Sequence, residues 1–145
     1  MELILWRHAD AEDGAPDLER RLTKKGRKQA QRVAGWLRAR LPEDFELVSS
    51  PAARARETAE ALGAKIRIED ALAPGASPAS FVSVSGWPRG NRTVVIVGHQ
   101  PDLGRALAHL VAGRQAEWRL QKGALWWLES GEPALVKAAV SPDLL

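Results

Sequence analysis

Five consecutive β-branched residues, Thr93-Val94-Val95-Ile96-Val97, constrain the fold more than any other stretch of the chain. Side chains alternate across a strand, so an apolar run of this kind needs cover on both faces. Such a strand belongs inside a parallel sheet with helices above and below it. Gly98-His99 ends the run, and Pro101 or Asp102 opens a helix that carries Leu103, Ala106, Leu107, Leu110 and Val111 on one face and stops at Gly113.

The same strand-then-helix unit recurs upstream. Leu3-Ile4-Leu5-Trp6 reads as a buried strand that delivers Arg7 and His8 into a polar loop, Ala9 to Asp17. Thr23 caps a helix to about Arg40, with Ala30, Val33, Ala34, Leu37 and Leu41 at helical spacing and Pro42 as its stop. Phe45 to Ser49 is a second strand. Ser50-Pro51 then has the form of an N-cap followed by proline at the first position of a helix that runs to Leu62 and ends at Gly63. Lys65 to Glu69 alternates as an edge strand, Ala71 to Pro78 is loop, and Pro78 to Val84 forms a short helix. The last third predicts strands at Ala116–Leu120, Ala124–Leu128 and Ala134–Val140, with turns at Gln121-Lys122-Gly123 and Glu129 to Glu132. Four β-α units followed by strands give an α/β fold: a three-layer α/β/α sandwich with a mostly parallel central sheet.

Length and composition narrow the class. A chain of 145 residues, 45% hydrophobic and 27% charged, predicts one domain over residues 1–145 with a full core. The absence of cysteine removes disulfides, thiolate metal sites and thiol nucleophiles. No basic-then-apolar leader opens the chain and no apolar stretch reaches the roughly 18 residues of a membrane span, so a cytoplasmic protein without a membrane partner is expected. The net charge of +3 is small, the basic residues are scattered in sequence without an obvious stripe, and no nucleic-acid motif is present, so nucleic acid is not an expected partner. The densest basic cluster, Arg20 to Lys28, reads as the solvated start of a helix. Of the six tryptophans, Trp6 is expected beneath the Arg7-His8 pair, Trp126 and Trp127 on opposite faces of one strand, and Trp36 at the margin of its helix.

In a wound sheet the carboxyl ends of parallel strands share one edge, where ligands bind. That edge gathers Arg7 and His8 from the first strand, Arg54 from the first turn of the second helix, and His99 from the central strand. Two guanidinium forks, two imidazoles and a helix start suit a phosphoryl group. Arg21 is a further candidate for substrate contact. Asp10 reads as a steering group for His8 or as a loop cap. Arg56 is expected on the surface, and His109, inside a helix, as structural.

Several of these stretches resemble the motifs of the histidine phosphatase superfamily. Arg7-His8-Ala9 stands at its Arg-His-Gly position, Leu22-Thr23 with Gly26 at its Leu-Thr-x-x-Gly element, Ser49-Ser50-Pro51 through Arg54 to Thr58-Ala59 at its Ser-Ser-Pro-x-x-Arg-x-x-x-Thr-Ala element, and Gly98-His99-Gln100-Pro101 at its Gly-His-x-Pro element. The resemblance runs from the first strand to the helix ending at Gly113, and the short chain is most similar to the SixA-type phosphohistidine phosphatases. It implies a phosphoglycerate mutase-like fold and a metal-independent, cofactor-free phosphatase. His8 would be the nucleophile and Arg7, Arg54 and His99 would hold the phosphoryl oxygens. The implied partner is a phosphohistidine-bearing protein; the oligomeric state is open.

Two departures matter. Ala9 replaces the glycine and would be strained at a positive φ. Phosphomonoesterases of the superfamily also carry a carboxylic proton donor, often on an insertion after the second helix, whereas this region offers only Glu69 and Asp70. An alkoxide leaving group needs a general acid. An imidazole, with an ordinary pKa of about 6.5, leaves as the neutral ring. The missing acid favours phosphohistidine. The alternatives are a phosphatase of the same fold acting on small phosphate esters and a non-catalytic phosphoprotein-binding module.

Overall fold

The computed structural model describes residues 1–145. It contains β1 (Glu2–Arg7), α1 (Lys24–Arg38), β2 (Glu46–Ser49), α2 (Ala53–Glu60), β3 (Ile66–Ile68), α3 (Pro78–Ser85), β4 (Thr93–Gly98), α4 (Asp102–Ala112), β5 (Leu125–Glu129) and β6 (Leu135–Val140). Short 3₁₀ turns lie at Asp17–Glu19, Asp70–Leu72 and Pro142–Leu144. The sheet order is β3-β2-β4-β1-β5-β6. The first four strands are mutually parallel, and β5 and β6 extend the sheet antiparallel.

The β-branched run occupies β4, between β2 and β1, and its two faces feed two cores. Val94 and Ile96 join Leu3, Leu5 and Val48 beneath Phe81 of α3 and Leu103, Ala106 and Leu107 of α4. Val95 and Val97 join Ile4, Trp6 and Leu47 beneath Val33 and Leu37 of α1 and Ala55 and Ala59 of α2. Helices therefore cover both faces, as the apolar pattern requires. Trp126 packs against the first core and Trp127 within the second, one on each face of β5.

Glycine permits two close approaches that position the loops of the carboxyl edge. The Thr23 hydroxyl accepts from the Gly26 amide at 2.9 Å and caps α1. A Cβ on Gly26 would lie 2.0 Å from the Asp10 carbonyl oxygen, so only glycine lets this turn press on the loop after β1. A Cβ on Gly104 would lie 1.8 Å from the Trp118 carbonyl oxygen, which seats the segment before β5 on the start of α4.

Two expected features differ. Residues 116–120 are not a strand, because β5 takes the free edge of β1 and their carbonyls bond side chains instead: Gln100 donates to Trp118 and Arg7 donates to Leu120. Ser50 is not the helix cap either. α2 begins at Ala53, with Ala52 at the cap position and no side-chain capping bond. The Ser50 hydroxyl accepts from the Ala52 amide at 3.2 Å and also meets His99.

Candidate active site

Arg7 and His8 leave β1 beside the end of β4, where the His8 amide donates to the Gly98 carbonyl at 3.0 Å. His99 follows β4 directly, and the Ser50 amide donates to Val97 at 3.1 Å, so the ends of β1, β4 and β2 are bonded side by side. Arg54 enters from the first turn of α2. Thr58, one turn later, donates its hydroxyl to the Arg54 carbonyl and accepts from the Ala9 amide at 3.0 Å, which fastens α2 to the residue after His8. Ala9 is fully buried, and no residue other than glycine has a positive φ, so alanine fits without strain.

The two imidazoles lie 5.3 Å apart between ring centroids, tilted by 54°. His8 is 8% exposed, Arg54 4% and His99 3%. His8 Nδ1 lies 2.7 Å from the Ala9 carbonyl oxygen. A carbonyl only accepts, so Nδ1 carries the proton of the neutral ring and Nε2 keeps its lone pair. Burial, opposed by the Ala9 bond and reinforced by Arg54, Arg7 and Arg20, lowers the His8 pKa to about 4. Burial, then His8, Arg54 and Arg20, partly opposed by Asp17, lower His99 to about 3. Both rings are neutral at pH 7. His99 Nε2 lies 2.7 Å from the Ser50 hydroxyl.

Three buried side-chain nitrogens in the chain lack a hydrogen-bond partner: Arg7 Nε, Arg54 Nε and His99 Nδ1. Buried polar groups are otherwise almost always paired. These three belong to the residues that surround His8. The remaining guanidinium bonds hold the forks in place. Arg7 donates to the Leu120 carbonyl at 2.7 Å. Arg54 donates to the Asp17 carbonyl at 2.8 Å and to the Asp17 carboxylate at 3.1 Å. Burial, then the nearby Arg119, lowers the Arg7 pKa.

The structure thus brings together Arg7, His8, Arg54 and His99 and leaves Arg21 aside. Arg21 is largely exposed and paired with Glu57 at 2.8 Å. The cation of this segment that acts on both imidazoles is Arg20, held by Asp17 at 3.0 Å. Asp10 fastens the loop, accepting from Thr23 and Lys122 at 2.8 Å each. Arg56 is exposed as expected, but His109 is also exposed on α4 and belongs to no core.

The two carboxylates expected near the site make no side-chain bond to the cluster. Glu69 is bonded to Arg67, and Asp70 is exposed after β3. The carboxylate joined to the cluster is Asp17, whose pKa is lowered chiefly by the bond from Arg54. An aspartate in a polar loop gave no local signal of this role. Ser50 and Thr58 stood inside a motif, and their hydroxyls could have been assigned to it. No three His, Asp or Glu side chains cluster in a way that could hold a metal ion.

Residues 3–75 match the family model described as histidine phosphatase superfamily (branch 1). Phosphohistidine phosphatase SixA of Escherichia coli (strain K12) is 30% identical over 122 residues, covering 78% of this chain and 76% of that protein. An uncharacterized protein of Picosynechococcus sp. is 36% identical over 143 residues, covering 90% and 86%. Among solved structures, the protein histidine phosphatase SixA complexed with tungstate superposes with a TM-score of 0.87 at 24% identity over 99% of both chains, and so shares the fold.

Proposed function

The chain belongs to the histidine phosphatase superfamily, and on that premise we propose that it is a phosphohistidine phosphatase that works through a phosphohistidine intermediate on His8. The observation that carries this reading is the set of three orphaned nitrogens, Arg7 Nε, Arg54 Nε and His99 Nδ1, around a neutral imidazole whose Nε2 is unprotonated. A phosphoryl group in transfer spreads charge over three oxygens and needs preorganised donors for them.

In the first step His8 Nε2 forms a bond to phosphorus and the substrate nitrogen–phosphorus bond breaks. Arg7, Arg54 and His99 donate to the phosphoryl oxygens. Ser50 donates its hydroxyl to His99 Nε2, which leaves the proton of the neutral His99 ring on Nδ1, the orphaned atom. The substrate ring, protonated at its other nitrogen, departs as neutral imidazole. In the second step water attacks phosphorus, the phosphorus–Nε2 bond breaks with its electron pair going to His8, and both protons of the water stay on the phosphate, which is released as dihydrogen phosphate. Because the Ala9 carbonyl keeps a proton on Nδ1 throughout, His8 also departs as neutral imidazole. Neither departure needs a carboxylic acid, and Asp17, held ionised by Arg54, is poorly suited to be one.

The test is phosphate release by wild type and His8→Ala from a phosphohistidine peptide, beside a panel of small phosphate esters. Strong phosphohistidine turnover that is lost in His8→Ala is expected. Ester turnover with little release from phosphohistidine would move the substrate to the alternative class. No release from either would leave a phosphoprotein-binding module.

A further inference from the structure

The basic residues that look scattered in the sequence converge in the fold. A cleft of about 560 Å³ opens beside Arg7, between the first three turns of α1 and the segment before β5. Lys25, Lys28 and Arg32 line one wall and Arg119 and Lys122 the other, with Arg7 joining them. Pro142 is its only apolar contributor and Asp143 its only acidic one. Lys122 is paired with Asp10, but Arg7, Lys25, Lys28, Arg32 and Arg119 have no carboxylate within ion-pair distance. Fold stability gains nothing from crowding like charges, so their convergence on one side of a reaction centre calls for an anionic occupant.

From this arrangement we infer that the cleft docks an acidic protein segment that flanks the phosphorylated histidine of the substrate. The inference rests on the phosphohistidine reading and adds a surface to it. Arg7 belongs to both regions, so a chain whose phosphoryl group meets His8 continues directly into the cleft. Lys25 and Arg32 lie two turns apart, which spreads the charge over about 10 Å of helix. That span exceeds one phosphate and suits carboxylates on successive turns of a partner helix. The walls carry no aromatic ring on which a nucleic acid base could stack, which favours protein over single-stranded RNA. Lys25, Lys28 and Arg32 are exposed and make no contact in the reaction centre, so they tune encounter and affinity, leaving the chemistry to His8.

The experiment uses two phosphohistidine peptides of equal length, one flanked by Asp and Glu and one by Ser and Gln, with phosphoimidazole as a substrate too small to reach the cleft. The expected result is a kcat/KM about tenfold higher for the acidic peptide at low salt, an advantage carried mostly by KM. That advantage disappears in 0.5 M salt (roughly the regime where the Debye length falls to a few ångströms) and in Lys25→Glu/Lys28→Glu/Arg32→Glu, while phosphoimidazole turnover is unchanged. The neutral triple variant to Gln shows an intermediate loss and guards against a folding defect. Turnover of phosphoimidazole with no preference between peptides would overturn the docking surface and leave the phosphatase reading standing. If no phosphohistidine compound is turned over, that reading falls instead. Fluorescence anisotropy with the unphosphorylated acidic peptide then decides the cleft alone: binding lost in the Glu variant supports it, and no binding overturns it. Equal binding of a single-stranded RNA of the same charge would overturn the assignment to protein.

Discussion

The two ends of the sheet handle polar groups in opposite ways. At the amino end, Glu2 accepts from the Trp127 indole at 2.7 Å and from Lys137 at 2.6 Å. Lys137 also sits 5.4 Å from the Trp127 ring, Trp36 meets that ring edge-on at 6.0 Å, and Arg40 lies 4.4 Å over Trp36. Aromatic area and paired charge close the fold there. At the carboxyl end, the only buried side-chain nitrogens without a hydrogen-bond partner stand around two imidazoles whose burial keeps them neutral. No buried side-chain nitrogen or oxygen at the amino end lacks a partner, so the unmet polar groups of the interior are concentrated at the carboxyl end. Residues at the two ends should then separate activity from stability.

The largest effect is expected at His8. His8→Asn should lower turnover of a phosphohistidine peptide by at least about 10³-fold, as removal of a nucleophile does, with the unfolding midpoint unchanged or raised. Arg54→Ala comes next, with a loss on the order of 10³-fold, and Arg54→Lys should not restore it because an ammonium lacks the planar fork. Trp127→Ala should invert the pattern: about 3 kcal/mol less stable in urea unfolding, with kcat within about twofold of wild type. A Trp127 variant that lost activity while keeping its stability would break the division between the two ends.

Two smaller effects sharpen it. Because the folded pKa values of His8 and His99 are lowered, the unfolded chain binds more protons in acid. Their contribution to stability should be complete above the ordinary imidazole pKa of about 6.5 and fade as pH falls toward about 4 and about 3. The acid limb of kcat/KM for the free enzyme should likewise fall near pH 4 rather than near 6.5. Both are read by titrating unfolding and initial rates over the same buffers, and a rate limb at the ordinary histidine value would contradict the burial of His8. The smallest effect separates neighbours: Arg20→Ala should lower kcat/KM by about tenfold through its field at the imidazoles, and Arg21→Ala by less than about twofold.

The contrast between the two ends also explains what was legible in the sequence. The layers were legible because Val94 to Val97 are apolar at every position, and only cover on both faces satisfies that pattern. The cluster of Arg7, His8, Arg54 and His99 was legible because strand order in a wound sheet brings carboxyl ends together regardless of chain separation. Features set by side-chain competition for backbone groups were not. Ser50 has the form of a cap, yet its hydroxyl meets His99. Trp118 and Leu120 alternate like a strand, but their carbonyls are taken by Gln100 and Arg7. Arg20 and Arg21 are equivalent as neighbours in sequence, and only the fold turns one to Asp17 and the other to Glu57. The basic cleft was hidden for the same reason, because its two walls are far apart in the chain.

The central claim is that His8 itself carries the phosphoryl group. The most direct measurement is rapid acid-free quenching of wild type and His8→Asn during turnover of a radiolabelled phosphohistidine peptide, followed by peptide mapping. A label is expected on the wild-type peptide that contains His8, stable in base and labile in acid as a phosphoramidate is, and none on His8→Asn. A label on another residue, or full turnover by His8→Asn, would contradict it.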